Sequence, residues 1–154
     1  MWPKDTTAAK NKFYGDFRLK SWQAEYLIRI KPPFTMFYDG KPMKTGILVN
    51  KMCAPAMMDA FNEIWGKCNF DEKKVAETGA SDFGGCFNIR QIAGSNSYSN
   101  HSWACAIDLS PKTNGFNMKG TLSKVVIDAF DRTGARWGGR YVVRKDPMHW
   151  EWVS

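Results

Sequence analysis

The sequence predicts an α+β fold in a single domain, an antiparallel sheet with helices packed against it and a site in a surface cleft. Three observations lead to the fold class. Short β-branched or aromatic runs occur at 25–31, 34–38, 45–50, 86–92 and 103–109, two of them with period-two alternation. Two stretches, from Pro55 and from Thr121, repeat apolar residues at helical spacing. Strands and helices follow one another without the strand–helix–strand rhythm of a parallel sheet. A chain of 154 residues is about one domain long, enough to bury a core without disulfides. It contains no repeat, linker or low-complexity segment.

Residues 1–24 are polar and turn-rich, and are expected to form an N-terminal arm ahead of a domain at 25–154. EYLIRIK (25–31) and FTMFY (34–38) read as strands bounded by Pro32-Pro33 and Asp39-Gly40, and TGILVN (45–50) as a third. Pro55 suits the first turn of a helix whose Met57, Phe61, Ile64 and Trp65 face the core, with Gly66 to end it. Residues 67–85 read as a surface loop with at most one helical turn. In 86–92, Phe87 and Ile89 share one face of a strand, Asn88 and Arg90 the other. In 103–109, Trp103, Cys105 and Ile107 oppose Ala104, Ala106 and Asp108. Thr121 is placed to cap a helix with Leu122, Val125, Val126, Ala129 and Phe130 on its apolar face, and Gly134 to stop it. After a Trp137-Gly138-Gly139 turn, 141–144 and 147–153 read as short strands.

Composition narrows the function classes. The net charge is +7 with a pI near 9.3, which favours anionic partners. The basic residues are scattered, and no helix-turn-helix, zinc-finger or RNA-recognition signature accompanies them, so no nucleic acid is expected as a partner. No stretch is long and apolar enough for a transmembrane helix. The opening MWPKDTTAAKNKF lacks the apolar centre of a secretory signal, although a mature chain with its signal removed would look the same. Cys53, Cys68, Cys86 and Cys105 form no CxxC pair, which points to free thiols. Aromatic residues make up 14% of the chain, enough to serve both a core and a ligand cleft.

Only two histidines occur, each with a carboxylate close in sequence: His101 with Asp108, and His149 with Asp146. Catalytic zinc takes three His or carboxylate ligands and keeps a fourth position for water. His101, Asp108 and His149 supply such a set, leaving Asp146 as a base. Two satisfied structural histidines remain an alternative on residue types alone.

Ser99-Asn100-His101-Ser102-Trp103-Ala104-Cys105-Ala106-Ile107-Asp108, followed by Asp146-Pro147-Met148-His149-Trp150-Glu151, resembles the zinc D-alanyl-D-alanine carboxypeptidases and L-alanyl-D-glutamate endopeptidases, which include many bacteriophage endolysins. The pattern is Ser-x-His-x-x-Gly-x-Ala-x-Asp, then an acidic residue three positions before a His followed by an aromatic. Phe87-Asn88-Ile89-Arg90 and Trp137-Gly138-Gly139 add to the match, which covers roughly 45–152. Ala104 departs from the usual Gly and is expected to add a methyl near the metal face. Asp146 stands where many relatives carry Glu.

The resemblance implies one Zn2+ per chain on His101, Asp108 and His149, Asp146 as general base, and Arg90 beside the scissile carbonyl. Ser99 is a candidate for orienting substrate. Asn88, Tyr98, Trp137 and Trp150 are expected to line the substrate groove. The implied partner is bacterial peptidoglycan, cut by a monomer of endolysin type that waits in the host cytoplasm before release to the wall. The bond expected is L-alanyl-D-glutamate. A D-alanyl-D-alanine carboxypeptidase and a non-catalytic zinc-bearing module remain as alternatives.

Overall fold

A computed structural model describes residues 1–154. Its centre is a four-stranded antiparallel sheet in the order β5-β6-β8-β7, with β5 at Phe83–Gly85, β6 at Ala106–Leu109, β7 at Arg136–Trp137 and β8 at His149–Glu151. In β6, Ala106, Ile107 and Leu109 are buried and only Asp108 keeps partial exposure, so both faces of the strand are covered. Two antiparallel ribbons stand apart from this sheet, β1 (Leu27–Ile30) with β4 (Ile47–Asn50) and β2 (Phe37–Tyr38) with β3 (Lys41–Pro42).

Helix α3 (Ala54–Lys67) buries Met57, Phe61 and Ile64, as its apolar spacing requires, and packs against α5 (Lys124–Arg132). Phe130 of α5 ties helices to sheet: its ring lies 5.7 Å from Phe61, 5.0 Å from Trp150 and 5.9 Å from Trp152. These aromatic pairs form the core on one side of the sheet.

Several local expectations are corrected. The segment 67–85 contains α4 (Glu72–Thr78), two turns long, capped by Asp71 accepting from the Lys73 and Lys74 amides and ended by Gly79 at φ +87°. Its polar composition hid Val75 and Thr78, which are buried. The run 34–38 yields only Phe37–Tyr38, since Pro32 and Pro33 have no N–H to donate. Residues 86–92 are not a strand. Their one ladder contact is a Gln91↔Tyr98 bridge, single backbone bonds such as the Asn88 amide to the His101 carbonyl tie them to the next segment, and Ile89 is exposed despite its alternation. Residues 141–144 are an exposed loop, and the last strand is confined to His149–Glu151. Ser123, not Thr121, precedes α5, while the Thr121 hydroxyl bonds to Thr113 and Asn114. Gly66 lies within α3 rather than at its end.

Residues 1–24, expected as an arm, hold α1 (Thr7–Tyr14) and most of α2 (Trp22–Tyr26), and place Tyr14, Phe17 and Trp22 in the core. The Tyr14 hydroxyl donates to the Trp152 carbonyl, and the Tyr14 carbonyl accepts from the Trp22 indole and the Asn50 amide. The chain ends meet: the Asp5 amide donates to the Ser154 carbonyl, and the Ser154 amide to the Pro3 carbonyl. All four cysteines are buried and unpaired. No helix is long and apolar enough to cross a membrane.

This anchoring is testable. Tyr14→Phe keeps the ring but removes the donor to a buried carbonyl, so stability should fall by about 1–3 kcal/mol in urea unfolding. A loss below about 0.5 kcal/mol would mean that the hydroxyl holds nothing.

Candidate metal centre

The pairing of β6 with β8 sets Asp108 directly opposite His149, with Ile107 opposite Trp150 and Ala106 opposite Glu151. Facing residues in an antiparallel pair project to the same side, and alternate ones to opposite sides. Ile107 and Trp150 therefore point into the helix-covered core while Asp108 and His149 share the other face.

His101 reaches this face from a 3₁₀ turn over Asn100–Trp103, whose start is capped by Ser99 Oγ accepting from the His101 amide. The turn ends on Ala104 at φ +53°, a left-handed conformation that costs an alanine roughly 1–2 kcal/mol. That is a physical reason for glycine in the pattern this segment resembles. The Ala104 methyl is fully buried in the core cluster, so it does not narrow the cleft as expected.

One donor atom from each of His101, Asp108 and His149 lies within 4.8 Å of the others. His101 Nε2 is 3.2 Å from Asp108 Oδ2, and His149 Nδ1 is 3.0 Å from Asp108 Oδ1. Two ligands about 2.0–2.1 Å from a tetrahedral zinc lie roughly 3.3–3.4 Å apart, so the spacing fits one ion.

The hydrogen bonds behind the rings fix their tautomers. His101 Nδ1 lies 2.7 Å from the Cys86 carbonyl, which can only accept, so the proton is on Nδ1 and Nε2 presents a lone pair. Nε2 is buried without a hydrogen-bond partner, facing another acceptor in Asp108. A cation answers both groups at once. His149 Nε2 lies 2.9 Å from Glu151 Oε2, which turns Nδ1 toward Asp108.

Glu151 is the site residue that the sequence reading missed. It is buried and receives hydrogen bonds from the Asn100 amide, Arg136 and the Tyr141 hydroxyl as well as from His149. Asn100 Oδ1 in turn accepts from Lys10 Nζ at 2.6 Å, and Lys10 pairs with Asp5 at 2.9 Å. Its position two residues after His149 on one strand was a usable signal, because period two puts both side chains on one face. Nothing local in residues 5–10 marks them as support for the site.

The electrostatics follow from these contacts. Burial works against charge on His149, but its hydrogen bonds to Asp108 and Glu151 outweigh burial and raise its pKa to about 10. Burial would raise Asp108, yet the two imidazoles beside it, with His149 as its hydrogen-bond partner, hold it well below the usual carboxylate range. Glu151 is likewise held low, against its burial, by His149, Tyr141 and Asn100.

Asp146 lies beside the three but outside the cluster. Its amide donates to the Gly138 carbonyl, and its own carbonyl accepts from the His149 amide. A methyl on Gly138 would sit 2.4 Å from that Asp146 carbonyl, so glycine is needed for this close approach. The Asp146 carboxyl is half-buried, and Oδ1 has no partner. Burial, together with the Asp108 charge, raises its pKa against the pull of His149, His101 and Arg90.

A cleft of about 730 Å³ opens onto Asp146, His149 and Glu151, and Arg90, Tyr98 and Ser99 line it as expected. Other expected lining residues lie elsewhere. Asn88 is exposed outside the cleft. Trp150 is fully buried against Phe130, and Trp137 stacks on it at 5.4 Å with its indole N–H donated to the Pro147 carbonyl. Both indoles brace the strand that carries His149, and neither lines the cleft. Arg144, Arg136 and Lys10 also line the cleft, so Arg90 is not its lone cation.

Two imidazoles and a shared, partly exposed carboxylate, with a second carboxyl alongside in a cleft, could hold one metal ion and match the donor types of mononuclear metallohydrolases. Residues 93–152 match a family model described as D-alanyl-D-alanine carboxypeptidase, which supports a zinc peptidase. The match contains His101, Asp108, Asp146, His149 and Glu151 but stops short of Arg90 and of the N-terminal helix. No curated protein and no solved structure matches the chain.

Two outcomes are expected. Metal binding must displace the His149 proton, so zinc stabilisation should grow as pH rises from about 6 to about 9. In metal-free protein, the His149 contribution is complete below about pH 6.5 and lost as pH rises through about 10, while Asp108 and Glu151 contribute above about pH 4.5 and lose that in acid. Metal-free stability should therefore peak near pH 5–6, as read by thermal melts across pH, roughly. A zinc increment that shrinks with pH would remove His149 from the ligand set. Separately, Glu151→Gln should weaken zinc binding about 10–100-fold by competition against a chelator, since the neutral amide orients the His149 ring less firmly. Unchanged affinity would make Glu151 purely structural.

Proposed function

We propose that this protein is a zinc peptidase acting on bacterial peptidoglycan, of endolysin type, that hydrolyses the L-alanyl-D-glutamate bond of the stem peptide. The observation that carries the reading is the unpartnered His101 Nε2 facing Asp108 and His149 with Asp146 alongside, inside the segment that matches the family model. His101, Asp108 and His149 would hold the ion. Bound there, zinc polarises a carbonyl and brings the pKa of water toward about 7.

The chain's own residues supply the rest. Asp146 accepts the proton of the attacking water and returns it to the leaving amine nitrogen. Its raised pKa suits both halves of that cycle better than an ordinary aspartate would. Arg90, a cation on the cleft wall whose charge reaches Asp146, stabilises negative charge developing on the scissile carbonyl oxygen. Glu151 and the Cys86 carbonyl hold the two imidazoles in their ligand tautomers. Tyr98 and Ser99 contact the peptide from the same wall.

A cleft of this volume, part open to solvent, can admit a peptide segment. The +7 charge would hold a monomer on the polyanionic wall, in keeping with release from the host cytoplasm at lysis. A second reading, removal of terminal D-alanine, is favoured by the description of the matching family model. A non-catalytic module has less support, because Asp146 and Arg90 share the cleft with the donor set.

Mass spectrometry of purified peptidoglycan after digestion separates these readings. New D-glutamate amino termini are expected, and free D-alanine without them would establish the carboxypeptidase instead. Asp146→Asn should retain zinc and lose about 10²–10⁴-fold in activity, whereas His101→Ala should lose zinc. Asp146→Asn activity within threefold of wild type would take Asp146 out of the reaction.

A further inference from the structure

We infer that Arg144, positioned by Phe116, is a specificity residue that binds the free α-carboxylate of the residue on the leaving side of the scissile bond. The inference rests on the peptidase reading for the term "leaving side", but its carboxylate chemistry stands on the cleft alone.

Four cations line the cleft, and two of them are already committed. Lys10 is paired with Asp5, and Arg136 with Asp5 and Glu151. Arg90 and Arg144 belong to no ion pair, and their side chains donate no hydrogen bond within the protein. The carboxylates that line the cleft are Asp5, Glu151 and Asp146, and the first two are taken by internal partners. The two free guanidiniums thus outnumber the one carboxyl left to face them.

The two arginines come from different sides of the sheet. Arg90 lies on the segment that follows β5, and Arg144 on the segment between β7 and β8, the two outer strands being β5 and β7. The pair β6–β8, which carries Asp108 and His149, runs between them. Both arginines nevertheless line the one cleft that opens onto Asp146 and His149, where a bound peptide can meet either cation.

Arg144 is held for this position at some cost. Its backbone is at φ +57°, where glycine or asparagine is cheaper. Its guanidinium lies over the Phe116 ring, 5.6 Å from the centroid, and Phe116 itself is exposed at 57%. The Phe116 loop is tied to the Arg144 segment: the Asn117 amide donates to the Lys145 carbonyl, and the Met148 amide to the Asn114 carbonyl. Fully buried Asn114 closes that loop by accepting from the Thr121 and Leu122 amides. An exposed aromatic on an anchored loop, under an unpaired arginine, is a platform that aims a planar donor fork at a carboxylate.

Both candidate bonds present that group. In L-alanyl-γ-D-glutamate the leaving residue keeps a free α-carboxylate, and in D-alanyl-D-alanine the leaving residue carries the terminal one. One arginine at one position therefore serves either source.

The test uses zinc-loaded full-length protein with Asp146→Asn, so that binding is measured without turnover, and two pairs of peptides. One pair is L-Ala-γ-D-Glu-L-Lys and its α-carboxamide. The other is acetyl-L-Lys-D-Ala-D-Ala and its C-terminal amide. In the pair that contains the true substrate, the carboxylate form should bind about five- to tenfold more tightly. Adding Arg144→Gln should bring the ratio within about twofold of one, and Phe116→Leu should reduce it part-way, with melting temperatures unchanged by these exposed substitutions. A ratio near one in the parent, or a ratio that survives Arg144→Gln, overturns the inference. Wild-type enzyme is assayed on the same four peptides. Hydrolysis without a carboxylate preference sinks the subsite and leaves the peptidase standing. A preference abolished by Arg144→Gln without hydrolysis keeps the carboxylate subsite and sinks the peptidase, and neither binding nor hydrolysis of any peptide sinks both.

Discussion

The site depends on one register: Asp108 opposite His149 in the antiparallel pair β6–β8. A slip of β8 by one residue would turn His149 toward the helices and bring Trp150 to the cleft, leaving Asp108 without its partner. Trp150 prevents it, being fully buried against Phe130 and stacked on Trp137. Core packing on one face of the sheet thus sets the donor geometry on the other. The same strand carries Glu151, so the register that presents His149 also brings the carboxylate that orients its ring.

Around that pair, charge is arranged so that little of it is left unpaired. Asp108, Glu151, His149, Arg136, Lys10 and Asp5 form a connected network that runs from the donor cluster to the N-terminal helix. Such a network rigidifies a site when every member is satisfied. The groups left open toward the cleft are His101 Nε2 and Asp146 Oδ1 inside and Arg90 and Arg144 on its wall, while the buried Trp150 Nε1 and Ser123 Oγ also lack partners. In the reading proposed above, an ion, a proton in transit and an anionic peptide would complete the cleft-facing groups in turn.

The N-terminal segment changes meaning in this light. Residues 1–92 lie outside the part that matches the family model, yet Tyr14 braces Trp152, and Asp5 and Lys10 support Asn100 and Glu151. The candidate metal donors lie between residues 101 and 149, while part of what holds them in place comes from the first tenth of the chain.

The donor set was legible in the sequence because its residues carry their own signal: two histidines in all, carboxylates at short range, and a motif that restricts spacing. The helices around Met57 and Val126 were legible for the same kind of reason, since burial of one face imposes a 3.6-residue period. The strand at 86–92, the arm at 1–24 and the indoles of Trp137 and Trp150 as groove walls were misread. Alternation in 86–92 reflected no pairing partner, and an indole placed by sequence faces core or cleft according to what packs on it. Glu151 could have been placed on the His149 face by strand period, but its bond to the ring, and Lys10 and Arg144 beside the cleft, were decided only by tertiary structure. A donor's identity is a local property of the chain, whereas the partner that orients it, and the cation left without one, exist only once distant segments are brought together.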